Sequence, residues 1–140
     1  MECTACDMMV TEVITLDEAM LLEEAIAKMT HHRVHAAPVV HESIVVGLLS
    51  ERDIIALLDG APYARFFKSH HSLREEAERV GAMEVKDAMD PDFEWLNPDD
   101  TVYDAARLLH ETGQRILPVI RNGQLEGIIT RSTILEHLVN

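Results

Sequence analysis

The sequence is poor in basic residues, cysteines and long apolar runs, and each scarcity excludes a class of protein. Twelve lysines and arginines stand against 25 aspartates and glutamates, for a net charge of −13. Because such a chain repels phosphate backbones, we expect no nucleic-acid partner. The only cysteines, Cys3 and Cys6, are too close together to staple a fold. No apolar run approaches the roughly 20 residues that cross a bilayer, and the first residues lack a signal-peptide pattern, so we predict a cytoplasmic protein without a membrane segment.

Sequence motifs of catalysis are also absent. The chain contains no G-x-S-x-G nucleophile turn, no P-loop and no H-E-x-x-H zinc motif. We therefore predict that this protein is not an enzyme and that it carries no resident cofactor.

The most informative feature present is a gap-free internal repeat. Residues 80 positions apart match in structural type along almost the whole chain. A repeated unit that cannot close its own core usually stacks against its copy, so we predict that the functional site is the cleft between two modules. The matching positions include Asp7 and Asp87, Met9 and Met89, Pro38 and Pro118, Gly47 and Gly127, and Ile54 and Ile134.

Each repeat predicts the same order of elements. Apolar residues at i, i+3, i+4 and i+7 indicate a helix near residues 22–29 and again near 102–109. Two β-rich runs follow, at 36–40 and 44–49 and then at 116–120 and 125–129, joined by hairpin turns of which the second contains Asn122-Gly123. A second helix begins near Ser50 or Thr130, and a short extended segment (13–15 or 93–95) precedes each first helix. The predicted fold is α+β, a β-α-β-β-α unit present twice and packed as a pseudo-twofold pair.

These elements divide the chain into three parts. Residues 1–59 hold the N-terminal tail and the first repeat, 60–82 a connector, and 83–140 the second repeat. In the connector, Ser72 and Glu75 have the spacing of a capping box that opens a short helix through Val80. Phe66 and Phe67 are predicted to be buried against the domain.

The repeat resembles the CBS domain, a small module that occurs in tandem pairs. The resemblance is carried by HHRVHAAPVV (31–40) with VGLLSERDII (46–55), and by TGQRILPVI (112–120) with EGIITRSTIL (126–135). It implies two related clefts between paired modules, which bind an adenosine-containing ligand such as AMP, ADP, ATP or S-adenosylmethionine. It also implies a regulatory module that forms a homodimer and signals to another, unidentified protein.

One predicted cleft is built around Ser50, Arg52 and Asp53. A strand turns into a helix here, where free backbone N–H groups favour an anion, and a carboxylate three residues on can accept from ribose hydroxyls. The same Ser-x-x-Asp spacing is also that of a capping box, and the spacing alone favours capping. The resemblance implies that the opposite wall of this cleft is formed by Met89, Glu94, Gln114, Arg115 and Ile116.

The other predicted cleft is built around Thr130. Thr133 stands where the resemblance implies a ribose-binding aspartate. A threonine hydroxyl can make only one of the two hydrogen bonds that such a carboxylate accepts from the ribose hydroxyls. The opposite wall implied by the resemblance is small and apolar, and suits adenine. Its residues are Met9, Ile14, Val34, His35 and Ala36.

Two other functions are open at this stage. His31 and His35 are four residues apart, and on one helical face such a pair could chelate a transition metal with help from Cys3 and Cys6; that would make the chain a divalent-cation sensor. Alternatively, Thr133 and Glu94 depart from the residues that the resemblance implies for the clefts. Such departures would suit a purely structural dimerisation module whose clefts no longer bind a ligand.

Overall fold

The computed structural model of the chain describes residues 3–59 and 73–139, and it contains the predicted repeat. The first half holds α1 (Ala5–Met8), β1 (Leu16–Asp17), α2 (Leu22–His31), β2 (Ala36–His41), β3 (Ile44–Ser50) and α3 (Glu51–Asp59). After α4 (Leu73–Gly81), the second half holds α5 (Val85–Ala88), α6 (Val102–Thr112), β4 (Ile116–Arg121), β5 (Gln124–Thr130) and α7 (Arg131–Val139). The α+β prediction is confirmed. The predictions for Phe66, Phe67 and Ser72 fall outside the described residues.

The extended segment before each first helix lies slightly later than predicted. Pairing with β2 occurs at Leu16 and Asp17, not at 13–15, and in the second half Leu96 forms a single parallel bridge to Val119, not 93–95. Leu16 and Leu96 are fully buried. Burial of this leucine in the core therefore determines where each extended segment pairs with the neighbouring strand.

The strands form one five-stranded sheet in the order β1-β2-β3-β5-β4. Each half contributes an antiparallel hairpin, and β3 pairs with β5 at Ile44 and Gln124, which joins the two hairpins into one sheet. Both hairpin turns have two residues with positive φ: Glu42 (47°) and Ser43 (73°) in the first, Asn122 (53°) and Gly123 (80°) in the second. This geometry fits the twist of the flanking strands, and it confirms the predicted Asn-Gly turn.

The start of each repeat packs on the opposite half. We call residues 3–10 and 83–90 the starter segments. In the first, Val10 and Ile128 exchange two backbone hydrogen bonds, of 2.8 and 2.9 Å; in the second, Asp90 and Leu48 do the same at 2.8 and 3.0 Å. The two halves are therefore joined by a reciprocal exchange of backbone as well as by the sheet.

The buried residues form two cores that reflect this exchange. Val85 of the second starter segment lies in the core of the first half, and Ala5 and Met8 lie in the core of the second. A third, smaller cluster of Ala36, Leu48 and Ile116 lies between the halves. None of the described helices has both the length and the apolar character that a membrane crossing requires.

Candidate ligand-binding site

The larger cavity at the junction of the two halves has a volume of about 680 Å³. It brings together six residues that the sequence analysis assigned to one cleft: Ser50, Arg52, Asp53, Gln114, Arg115 and Ile116. The first three lie where β3 runs directly into α3, and the others lie where the chain after α6 enters β4. Two separate sequence signals thus converge on one site.

Asp53 serves as a helix cap with one carboxylate oxygen and leaves the other available. The Ser50 backbone N–H and hydroxyl donate to Asp53 Oδ2 at 3.0 and 2.9 Å, and the Asp53 N–H donates back to Ser50 Oγ at 3.2 Å. The capping interpretation is therefore correct. Within the described residues, Asp53 Oδ1 has no hydrogen-bond partner, and it remains able to accept from a ligand.

The backbone at the start of α3 is less available to an anion than the sequence predicts. The N–H of Ser50 and that of Asp53 are used in the cap, and the Glu51 N–H donates to the His35 carbonyl at 3.0 Å. At α7 the N–H groups of Thr130 and Thr133 donate to each other's hydroxyls, at 3.3 and 3.2 Å. An anion in either cavity must therefore depend largely on side chains.

The opposite wall is held by Gln114. Its amide Oε1 accepts from the Glu94 N–H at 2.7 Å, and its Nε2 donates to the carbonyls of Glu94 and Ile116 at 3.0 and 3.1 Å. These bonds fix the chain that presents Arg115 and Ile116 to the cavity. Gln114 is thus a positioning residue whose polar atoms already have partners.

Two residues assigned to this wall do not line the cavity. Met89 packs over Gly47, so closely that a β-carbon there would lie 2.6 Å from its Sδ, and it belongs to the periphery of the first core. Glu94 acts through its backbone on Gln114. Their assignment to a ligand therefore stays a prediction, and the second starter segment turns Met89 onto the strand β3.

A second cavity of about 330 Å³ adjoins the first and contains part of the other predicted cleft. Val34, His35, Ala36 and Thr130 all line it, as predicted. It shares a wall with the larger cavity, because five residues line both: His35, Ala36, Arg115, Ile116 and Arg131. The two predicted clefts are consequently neighbours with common residues.

The structure places the other residues predicted for this cleft outside the lining of the smaller cavity, and their contact with a ligand stays a prediction. Met9 and Ile14 are not among the residues that line the smaller cavity, and Met9 packs over Gly127 in the same way that Met89 packs over Gly47. Thr133 caps α7: its Oγ1 lies 3.1 Å from that of Thr130. Thr133 has taken over the capping role of Asp53 without supplying a carboxylate.

The histidines do not form the helical pair that a metal site would need. Helix α2 ends at His31, so His35 lies on the extended chain beyond it, where its Nδ1 contacts Glu51 Oε1. The ring of His31 packs edge-on against His32. Among the residues that the structure describes, no group of three or more histidine, cysteine, aspartate or glutamate side chains is placed to hold a metal ion.

Asp90, Arg131 and Arg33 line the cavities but were missed by the sequence analysis. Asp90 lines the larger cavity, Arg33 the smaller, and Arg131 both. Arg131 directly follows Thr130 at the start of α7, so the sequence could have identified it as a cavity residue from its place beside a predicted cleft residue. Asp90 could not be found in that way, since its place depends on the exchange of the starter segments.

The twofold repeat and its paired cavities define a tandem pair of modules with ligand-sized clefts at their junction. The chain belongs to the CBS domain family, whose model matches residues 5–60 and 85–140. CBS pairs of this kind are regulatory modules.

Individual relatives agree with this assignment. The CBS domain-containing protein YhcV of Bacillus subtilis is 30% identical over 88% of this chain and 76% of its own length. MJ1225 of Methanocaldococcus jannaschii is 32% identical over 94% of this chain, which spans 41% of it. The crystal structure of CBSX2 in complex with AMP has a TM-score of 0.77 at 25% identity, covering 97% of this chain and 96% of that one.

Proposed function

We propose that this chain is a regulatory sensor that binds an adenosine-containing ligand in the larger cavity. The observation that carries the proposal is Asp53, which lines a cavity that also has an apolar wall and whose Oδ1 has no hydrogen-bond partner among the described residues. A carboxylate oxygen can accept from a ribose hydroxyl, and the buried faces of Ala36, Leu48 and Ile116 can cover a base. The AMP bound to CBSX2, a protein of the same architecture, supports this ligand class.

Such a ligand would act by bridging the two halves. Ser50 and Asp53 belong to the first half, while Arg115 and Ile116 belong to the second. A ligand that contacts both sides stabilises one relative placement of the halves by its differential affinity for that placement. The chain performs no reaction in this proposal, and its response is passed to an effector protein that is still to be identified.

We further propose that two copies of the chain associate through α3 and α7. These helices expose Ile55 and Leu58 in one half and Leu135, Leu138 and Val139 in the other. Each helix also borders an apolar groove, of about 610 Å³ beside α3 and about 380 Å³ beside α7. Because the two halves present similar faces, the surface suits a symmetric contact with a second copy.

The ligand proposal is tested by titrating purified protein with AMP, ADP, ATP and S-adenosylmethionine, using calorimetry and thermal unfolding. Asp53→Ala is expected to weaken binding at least about tenfold, because it removes a charged acceptor from the site. Asp104→Ala is the matched control: it removes the equivalent cap of Thr101 on α6, away from both cavities. The control should lose similar stability and keep its affinity.

The outcomes separate the competing functions. Binding that survives Asp53→Ala unchanged would show that the site is elsewhere. If no adenosine compound binds, and thermal stability changes only on adding or chelating divalent cations, the cation-sensor hypothesis replaces the proposal. If nothing binds, the structural dimerisation module is favoured. A cytoplasmic location stays a prediction, which fractionation would test.

The dimer proposal is tested by sedimentation or light scattering. Leu135→Glu places a charge in the proposed interface, so we expect monomers at concentrations where the unmodified chain is dimeric. Ile44→Glu is the control, since Ile44 is 40% exposed and lies at the end of β3 that is opposite α3, beside Gln124 at the end of β5 that is opposite α7. A monomeric unmodified chain, or equal dissociation of both variants, would contradict the proposed interface.

A further inference from the structure

The basic side chains of this acidic protein fall into two groups. Arg33, Arg52, Arg115 and Arg131 line the two cavities, and none of them has an ion pair or side-chain hydrogen bond within residues 3–59 and 73–139. Every other lysine or arginine that the structure describes has a partner. These pairs are Lys28 with the Thr15 carbonyl, Arg74 with Glu78, Arg79 with Glu76, Lys86 with Glu84, Arg107 with Asp104, and Arg121 with Glu126.

The acidic side chains at the larger cavity form no ion pair with its arginines, although Glu51, Asp53 and Asp90 place three carboxylates around Arg52, Arg115 and Arg131. Asp53 Oδ2 is bonded to Ser50, Glu51 contacts the His35 ring, and Asp90 Oδ1 accepts from the Asp92 N–H at 2.9 Å. In a chain with 25 acidic residues, an arginine has many carboxylates within reach. The described residues that line the smaller cavity include Arg33, Arg115 and Arg131 and no aspartate or glutamate. This side of the junction therefore has a local cationic field that an anion from solution can neutralise.

The arginines are also arranged so that the two cavities share them. Arg52 lines only the larger cavity and Arg33 only the smaller, while Arg115 and Arg131 line both. Guanidinium groups bind phosphate oxygens through two parallel hydrogen bonds, and several arginines together match a ligand with several phosphates. A second phosphate chain beside the first would be repelled by it.

We propose that the ligand is a nucleoside polyphosphate, that Arg115 and Arg131 hold its phosphate chain, and that each protein chain binds one such ligand. This inference rests on the proposed adenosine site and adds the charge of the ligand and the stoichiometry. It also excludes S-adenosylmethionine, which has no phosphate group for these arginines to bind.

The test measures affinity and stoichiometry by calorimetry with ATP, AMP, S-adenosylmethionine and inorganic tripolyphosphate. We expect ATP to bind at least about tenfold more tightly than AMP, since charge-assisted hydrogen bonds to the added phosphates are strong. Arg115→Gln should remove most of this preference, because it weakens the binding of ATP more than that of AMP. Arg107→Gln is the control: it deletes the same charge on α6, where Arg107 is paired with Asp104.

Each outcome decides between the two proposals. Equal or tighter binding of AMP, binding of S-adenosylmethionine, two ATP molecules per chain, or an unchanged preference in Arg115→Gln would overturn the inference and leave the adenosine site standing. Tripolyphosphate binding as tightly as ATP, with no binding of AMP, would overturn the nucleoside part of both proposals. A comparison of Arg52→Gln with Arg33→Gln then identifies the cavity that holds the nucleoside, because each arginine lines only one of them.

Discussion

Replacing Gly127 with alanine is expected to lower the free energy of unfolding by about 1–3 kcal/mol, the usual range for overpacking a core. An added β-carbon would lie 2.7 Å from the Val10 carbonyl oxygen and 2.8 Å from Met9 Sδ and Cγ. The methionine side chain can move, but Val10 is held to Ile128 by two backbone hydrogen bonds. The clash can therefore be relieved only by shifting the first starter segment off β5.

The pseudo-symmetric position provides the matched control. At Gly47 the nearest atom to an added β-carbon is Met89 Sδ at 2.6 Å, while the nearest backbone atom, the Asp90 carbonyl oxygen, is 3.1 Å away. A methionine side chain adapts easily, so Gly47→Ala should cost less, about 1 kcal/mol. Urea denaturation of both variants measures the difference. If Gly127→Ala is as stable as the unmodified chain, or costs no more than Gly47→Ala, the argument from the fixed backbone is wrong.

Three further predictions concern the helix caps. Thr101→Ala should lower the free energy of unfolding by about 1 kcal/mol, because it removes the reciprocal cap of α6; an unchanged urea midpoint would contradict this. The pKa of Asp104 lies below its ordinary value, chiefly because the Thr101 N–H donates to the carboxylate and then because the Thr101 hydroxyl does. Its contribution to stability is therefore present above its unfolded pKa of about 3.9 and is lost as the pH falls through the lower folded value, so acid unfolding of Asp104→Asn should depend less on pH in that range. Thr133→Asp should stabilise the fold by about 0.3–1 kcal/mol, since a carboxylate then lies at the start of α7; calorimetric unfolding at neutral pH would show a loss if this is wrong.

Local pattern was sufficient to predict most of the fold. The i, i+3, i+4, i+7 spacing placed α2 and α6, and the repeat transferred each assignment to the other half, including the hairpin at Asn122-Gly123. The positions of β1 and of the bridge at Leu96 were missed by a few residues. Short extended segments carry little pattern of their own, and burial of one leucine decides where they pair.

The site was harder to predict because it is made by tertiary placement. The pattern around Ser50 and Asp53 is local, and it was found. Met9 and Met89 were assigned to the clefts, although each starter segment turns its methionine onto a strand glycine of the opposite half. Spacing within one repeat carries no information about such an exchange. The unpaired state of Arg131 is equally invisible in sequence, since it depends on what every nearby carboxylate contacts.

The exchanged starter segments also determine how the chain can acquire its structure. Val10 pairs with Ile128, so its hydrogen bonds cannot form until a residue 118 positions further along the chain is in place. Contacts of such high sequence separation raise the contact order and slow folding, because the entropy of closing a long loop is lost before any contact compensates for it. During synthesis the first half can complete its hairpin early, but its own core awaits Val85 from the second. The cavities between the halves are therefore among the last features to form, and a polyanion that binds there would favour completion of the fold itself.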